Sequence, residues 1–248
     1  MIVFEDVWKT YTKELGSPAH TALKGLSFSL GAGETLGLVG ANGAGKSTCI
    51  RLLMDFIRPD RGRISLFGMS PRQPDVRRRV GYLPEVANFP PNLTVLDLLR
   101  FVARSSGLTK AELDRRAEHW LRLLDLWEVR KRPLRGYSKG MQQRANFVLA
   151  LVTDPDLLIL DEPMSGLDPL GRAKIIALVK ELQQAGKTIL FCSHILEDVD
   201  RLADRILVLH LGEKQFEGLP ADFCRQQNAA SIVEAFVGLV ERGRGDVR

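Results

Sequence analysis

The chain has 248 residues, 45% of them apolar and 26% charged, with 35 Lys and Arg against 30 Asp and Glu for a formal charge of +5. That balance excludes global disorder and fits one large α/β domain, or one domain carrying an inserted subdomain. The longest purely apolar run, Phe147–Val152, is far short of the about 20 residues a membrane-spanning helix needs, so the chain is not expected to cross a bilayer.

The chain starts with two acids, Glu5 and Asp6, and no basic segment, which argues against a secretory signal. Residues 2–7 and 26–30 read as strands, and Thr12–His20 between them as a polar loop broken by Gly16 and Pro18. Thr35–Val39 is a short apolar strand that runs into a glycine-rich turn, and a helical pattern follows from Lys46 to about Phe56. Strands are predicted over Gly62–Phe67 and Val80–Leu83, then a turn-rich stretch over Pro84–Pro91. Helical patterns at about 95–105, 110–127 and 139–152 carry no convincing strand among them, so about 86–152 reads as an inserted helical subdomain. Leu157–Leu160 is too short for a helix and suits a strand buried on both faces. A helix at about 169–184, a strand at Thr188–Cys192, a helix at 195–202 and a strand at Arg205–Leu209 complete an alternation that implies a mostly parallel sheet. Ala229, Ile232, Val233, Phe236, Val237 and Val240 recur at helical spacing and mark a C-terminal amphipathic helix, with a frayed tail over Arg242–Arg248.

Cys49, Cys192 and Cys224 form no C-x-x-C pair, which argues against a disulfide framework or zinc cluster and for buried, inert thiols in a reducing compartment. Arg77-Arg78-Arg79 and Arg130-Lys131-Arg132 read as solvated faces, and Arg244-Gly245-Asp246 as chance. The mild basic excess suits an anionic membrane face or a nucleic acid equally.

Residues 40–47, Gly-Ala-Asn-Gly-Ala-Gly-Lys-Ser, fill every fixed position of the G-x-x-x-x-G-K-[ST] phosphate loop, after a strand and before a helix as that motif requires. Glycines at 40, 43 and 45 let successive amides of Gly40, Asn42, Gly43, Ala44 and Gly45 face one point, and the helix adds its positive end. Lys46 is placed to reach β- and γ-phosphates, Ser47 to ligate Mg²⁺, and Thr48 to face the α-phosphate. Farther along, Leu157–Asp161 is a buried strand ending in an acid and followed by Glu162. An acid at the C-terminal tip of a parallel strand lies where α/β folds bind ligands. Asp161 is expected to serve Mg²⁺ directly or through water, and Glu162 to polarise the attacking water in phosphoryl transfer to water.

Ahead of that strand stands Tyr137-Ser138-Lys139-Gly140-Met141, with Ser138 and the Gly140 backbone at a helix start. An S-x-G there is commonly a plain helix cap. In this order, however, the chain resembles the ATP-binding cassette (ABC) ATPases, whose signature is an L-S-G-G-Q-like pentapeptide. Ser165-Gly166-Leu167-Asp168 resembles the D-loop, Ser193-His194 the switch histidine, and Tyr11 the aromatic that stacks on adenine, with Trp8 a competing aromatic three residues earlier. The resemblance covers about residues 2–225. It implies an α/β fold with a RecA-like P-loop core, an antiparallel β subdomain and the inserted helical subdomain, all within residues 1–225, with 226–248 as a C-terminal helix and tail. It also implies two copies paired head to tail, so that each signature, with Ser138 and Gly140, caps the ATP of the other copy; Asp168 is expected among the nucleotide-binding residues, and Glu162, His194 and Lys46 are the expected catalytic ones.

The sequence departs from the family where Gly81-Tyr82-Leu83-Pro84 is followed by Glu85 in place of glutamine, a carboxylate that could still ligate Mg²⁺, and where Lys139 and Met141 replace signature residues. Met164 stands where a small polar residue is usual. The combination resembles exporter-type, ABC-2-like ATPase subunits. That implies an ATPase in a homodimer, held on the cytoplasmic face of a membrane by a separate polytopic permease, with no nucleic acid among its partners. The alternatives are a soluble cassette ATPase acting on nucleic acid or ribosomes, and a catalytically dead binding subunit, which Lys46, Asp161, Glu162 and His194 argue against.

Overall fold

The computed structural model describes residues 1–12 and 19–245, the last three by backbone alone. Most of the polar loop expected over Thr12–His20, and Asp246 of the Arg-Gly-Asp tripeptide, lie outside the described residues.

Strand β1 (Ile2–Tyr11) pairs antiparallel with β2 (His20–Leu30) on one side and, farther along, with β4 (Arg61–Leu66) on the other, giving a three-stranded sheet of order β2-β1-β4. This is the expected antiparallel subdomain. Its first two strands are longer than the sequence suggested, because bulges interrupt their alternation. Asp6 adopts φ 47° and Gly25 φ 66°, and the register of β1 slips between Phe4 and Val7.

The second sheet has six strands. It contains β3 (Thr35–Gly40), β5 (Val80–Leu83), β6 (Leu157–Asp161), β7 (Thr188–Cys192), β8 (Arg205–His210) and β9 (Glu213–Gly218), in the order β5-β6-β7-β3-β8-β9. All neighbours are parallel except β8 and β9. Every residue of β3, β6 and β7 is buried. Alternate side chains feed two cores: Leu158, Leu160, Ile189 and Phe191 join one, and Leu157, Ile159, Leu190 and Cys192 the other. That is the period of two expected of a sheet covered on both faces.

The second of these cores takes in the antiparallel sheet and α1 (Lys46–Leu53). The first takes in α6 (Pro169–Gln184), α7 (Leu196–Leu202) and the helical subdomain, α3 (Val95–Ser106), α4 (Lys110–Leu123) and α5 (Lys139–Leu151). Thr94 and Thr109 close α3 and α4 with reciprocal capping boxes to Asp97 and Glu112. Short helices α2 (Pro74–Arg78) and α8 (Pro220–Gln227) were not foreseen, and α9 (Ile232–Gly245) is the C-terminal amphipathic helix. Helix α9 takes in residues 242–245 of the tail expected to fray. No helix of the described residues is long and apolar enough to cross a membrane.

One smaller expectation is corrected. Cys49 and Cys192 are buried, but Cys224 is only partly so. The basic runs do lie on solvated faces: Arg77, Arg78, Arg79, Lys131 and Arg132 are exposed, the first three making surface pairs with Asp55, Asp75 and Asp156, while Arg130 lies 3.7 Å over the Trp127 ring.

Candidate nucleotide site

The parallel register brings Asp161 opposite Cys192 and Cys192 opposite Leu38, so the C-terminal ends of β6, β7 and β3 lie side by side. Three loops leave from that edge, carrying the phosphate loop, Glu162 and His194. The phosphate loop needs its glycines for different reasons. A Cβ at Gly40 would sit 2.7 Å from Leu209 O and 2.8 Å from Ala44 Cβ, so a close backbone approach excludes any side chain. At Gly43 nothing lies within 4 Å, but φ is +81°, so the constraint is conformational. Helix α1 starts after Gly45 with no side-chain cap, which leaves its first amides free of intrahelical partners.

Lys46 is 9% exposed, and its Nζ donates to Gly40 O at 2.5 Å and to Ala41 O at 3.2 Å, which lays the ammonium across the loop. Asn42, Gly43 and Ser47 are exposed, and Ala44 and Thr48 are buried. A cavity of about 230 Å³ is lined by this loop, Tyr11 and His20. Tyr11 reaches in from the end of β1, with its hydroxyl 3.4 Å from Thr48 Oγ1. Trp8 instead donates to Asp6 and packs by Gly25, so Tyr11 is the aromatic of this cavity. His20 carried no sequence signal beyond following a polar loop.

Asp161 is 8% exposed, and its pKa is pushed up to about 6 by burial first and then by the charges of Glu85 and Glu162, against Lys46 and Arg51. Glu162 adopts φ 50°, a left-handed turn that swings it off the strand axis. Its amide donates to Cys192 O, and its Oε2 lies 2.7 Å from His194 Nδ1 and accepts from the His194 amide at 3.3 Å. Glu85 is exposed on the turn after β5, which runs beside β6.

Ser138, Gly140 and Asp168 lie elsewhere. They line a separate cavity of about 460 Å³ that shares no residue with the first. Ser138 caps α5 and accepts from the Met141 amide at 3.2 Å, and Asp168 caps α6 and accepts from the Gly171 amide at 2.7 Å. The plain-cap reading of Ser138 therefore holds locally. The two sets of expected site residues thus lie in two different cavities of one chain.

The family model described as ABC transporter matches residues 23–165. This chain belongs to the ABC transporter ATP-binding family. The cassette is 42% identical over 214 residues to an uncharacterized ABC transporter ATP-binding protein of Synechocystis, covering 86% of this chain and 60% of that one. It is 37% identical to the Nod factor export ATP-binding protein I of Cupriavidus pinatubonensis, covering 90% of this chain and 69% of that one. Its fold matches the dimeric ATP-binding cassette MJ0796 solved in a post-hydrolysis state with ADP and Pi, at TM-score 0.79 and 25% identity, over 88% and 98% of the two chains. The cassette thus spans about 60% of the length of the Synechocystis relative.

Proposed function

We propose that this cassette binds and hydrolyses ATP as the motor subunit of an exporter, in a homodimer that drives a separate polytopic permease from the cytoplasmic face of a membrane. The observation that carries the reading is the meeting of Lys46, Asp161, Glu162 and His194 at the ends of three adjacent parallel strands. The relative named for Nod factor export supports the exporter class over a nucleic-acid or ribosome function. The ADP- and Pi-bound dimer of the structural neighbour supports hydrolysis between paired copies.

In this reading the adenine stacks on Tyr11, and the amides of residues 40–48 cradle the phosphates. Lys46 exchanges two neutral carbonyl acceptors for anionic phosphate oxygens, a stronger charge-assisted bond. Glu162 accepts a proton of the attacking water, whose oxygen bonds to the γ-phosphorus as the bond to the β–γ bridging oxygen breaks. ADP and phosphate leave, and the proton ends on phosphate or solvent. His194 holds the Glu162 carboxylate and faces the γ-phosphate. The second copy supplies Ser138, Gly140 and Asp168.

A magnesium ion fits the donors present. No group of three or more His, Cys, Asp or Glu side chains gathers as a metal cluster among the described residues. Instead Ser47, Asp161 and Glu85 offer hard oxygens beside a phosphate site, the sparse set that Mg²⁺ shares with substrate phosphates. Burial raises the Asp161 pKa first and the charges of Glu85 and Glu162 add to it, and a divalent ion would relieve that second contribution. When bound, the ion supplies charge neutralisation on the phosphates.

The groove at residues 85–91, beside the helical subdomain, is where we place the permease. Glu162→Gln tests the catalytic assignment: it should bind ATP with unchanged affinity and lose steady-state hydrolysis. Retained turnover would refute the role of Glu162. Affinity capture of the ATP-loaded variant from detergent-solubilised host membranes should recover a polytopic membrane protein in stoichiometric yield, and recovery of only the soluble dimer would refute the permease partner.

A further inference from the structure

Helix α5 begins at the Ser138 half-site and carries two buried amide side chains three residues apart, Gln143 and Asn146, each 4% exposed. Residues three apart share a helix face. Gln143 Nε2 donates to Glu162 O at 3.3 Å and to Pro163 O at 3.0 Å. Asn146 Nδ2 donates to Pro84 O at 3.0 Å, next to Glu85. One face of one helix therefore grips both turns that present the site's loop carboxylates. Glu162 stands in a left-handed conformation that a non-glycine residue keeps only where its surroundings hold it. Those surroundings are the Cys192 carbonyl on its amide, and the Ser165 amide and Gln143 on its carbonyl. Helix α5 is also seated tightly on β5, since a Cβ at Gly81 would lie 2.3 Å from Ala150 O.

We propose that Gln143 and Asn146 are positioning residues, an amide clamp through which the signature helix sets the placement of Glu162 and of the Glu85 turn. The clamp rests on the functional reading above. It has a directional consequence: whatever engages Ser138 at the head of α5 moves the same helix that holds the chain's own water-polarising carboxylate. The two half-sites of one chain are thereby linked through a single rigid element.

Gln143→Met keeps the side-chain bulk and removes both donors. In the full chain its kcat for ATP hydrolysis should fall on the order of 10- to 100-fold, as for a displaced catalytic group, with KM for ATP within about twofold of wild type. Amide hydrogen exchange at Glu162 and Ser165 should accelerate, because the Ser165 amide bonds to Glu162 O within the held turn and the Glu162 amide ties that turn to Cys192 O on β7. Asn146→Leu should instead accelerate exchange at Asn88 and Phe89. Gln143→Glu can donate to a carbonyl only while the new carboxyl is protonated. Its kcat should therefore recover on acidification relative to wild type, a pH profile that a merely structural residue would not produce. Unchanged kcat or unchanged exchange at Ser165 in a folded Gln143→Met chain overturns the clamp. Should that variant fail to fold, a wild-type pH profile for Gln143→Glu overturns it. Exchange needs no turnover, so it decides the clamp even if the wild type hydrolyses no ATP, a result that refutes the functional reading alone.

Discussion

Asp161 illustrates how a residue placed for chemistry costs stability. Its carboxyl titrates near pH 6 in the fold against an ordinary value of 3.8, so the folded state favours the protonated form. A raised pKa gives its stability below the unfolded value and loses it as pH climbs through the folded one. The nucleotide-free protein should thus lose stability between about pH 4 and pH 6 through this group. Asp161→Asn should remove that slope and raise stability at pH 7 by about 2 kcal/mol, by denaturant titration, while abolishing hydrolysis. A destabilised Asp161→Asn chain would contradict the assignment of burial as the cause. Lys46 makes the opposite trade, since its partners are two loop carbonyls. Lys46→Ala should lose ATP binding by calorimetry, and unchanged affinity would refute its phosphate role. Glu85→Gln should keep ATPase activity, and complete loss would show that the acid itself is needed. Most of these residues were legible in the sequence because a phosphate loop and a strand-end acid are local patterns. Gln143 was not, because a buried polar group on a helix is recognised only once its distant carbonyl partners are known.

At the scale of elements, what was legible followed hydrophobic period. The buried strands β3, β6 and β7 read correctly because they are short apolar runs between turns. Strand β9 escaped because Glu213–Gly218 is a mostly polar edge strand, held by its ladder to β8 rather than by apolar alternation. The true length of β1 escaped because the bulge at Asp6 puts the two halves of the strand out of phase. Helix placement has its own single points of failure. Gly81→Ala would drive a methyl into Ala150 O and force α5 off β5, with an expected loss of about 2–3 kcal/mol. Thr94→Ala should cost about 1 kcal/mol by removing the α3 cap, and no change in the denaturation midpoint would show the capping box to be dispensable.

For the whole molecule, the decisive feature is that the phosphate loop and the signature lie in cavities with no residue in common. The family resemblance implied that separation, but the spacing of the motifs did not, since spacing along a chain says little about which face each reaches. In the homodimer proposed above, such a split site becomes complete when a second copy brings its Ser138 surface to the first copy's Lys46 surface. The most direct measurement is the rate of ATP hydrolysis as a function of chain concentration. The composite site predicts a rate that rises with about the square of concentration while the dimer is sparse and becomes linear once it saturates. A rate linear from the lowest concentration, or no hydrolysis at any, would contradict it.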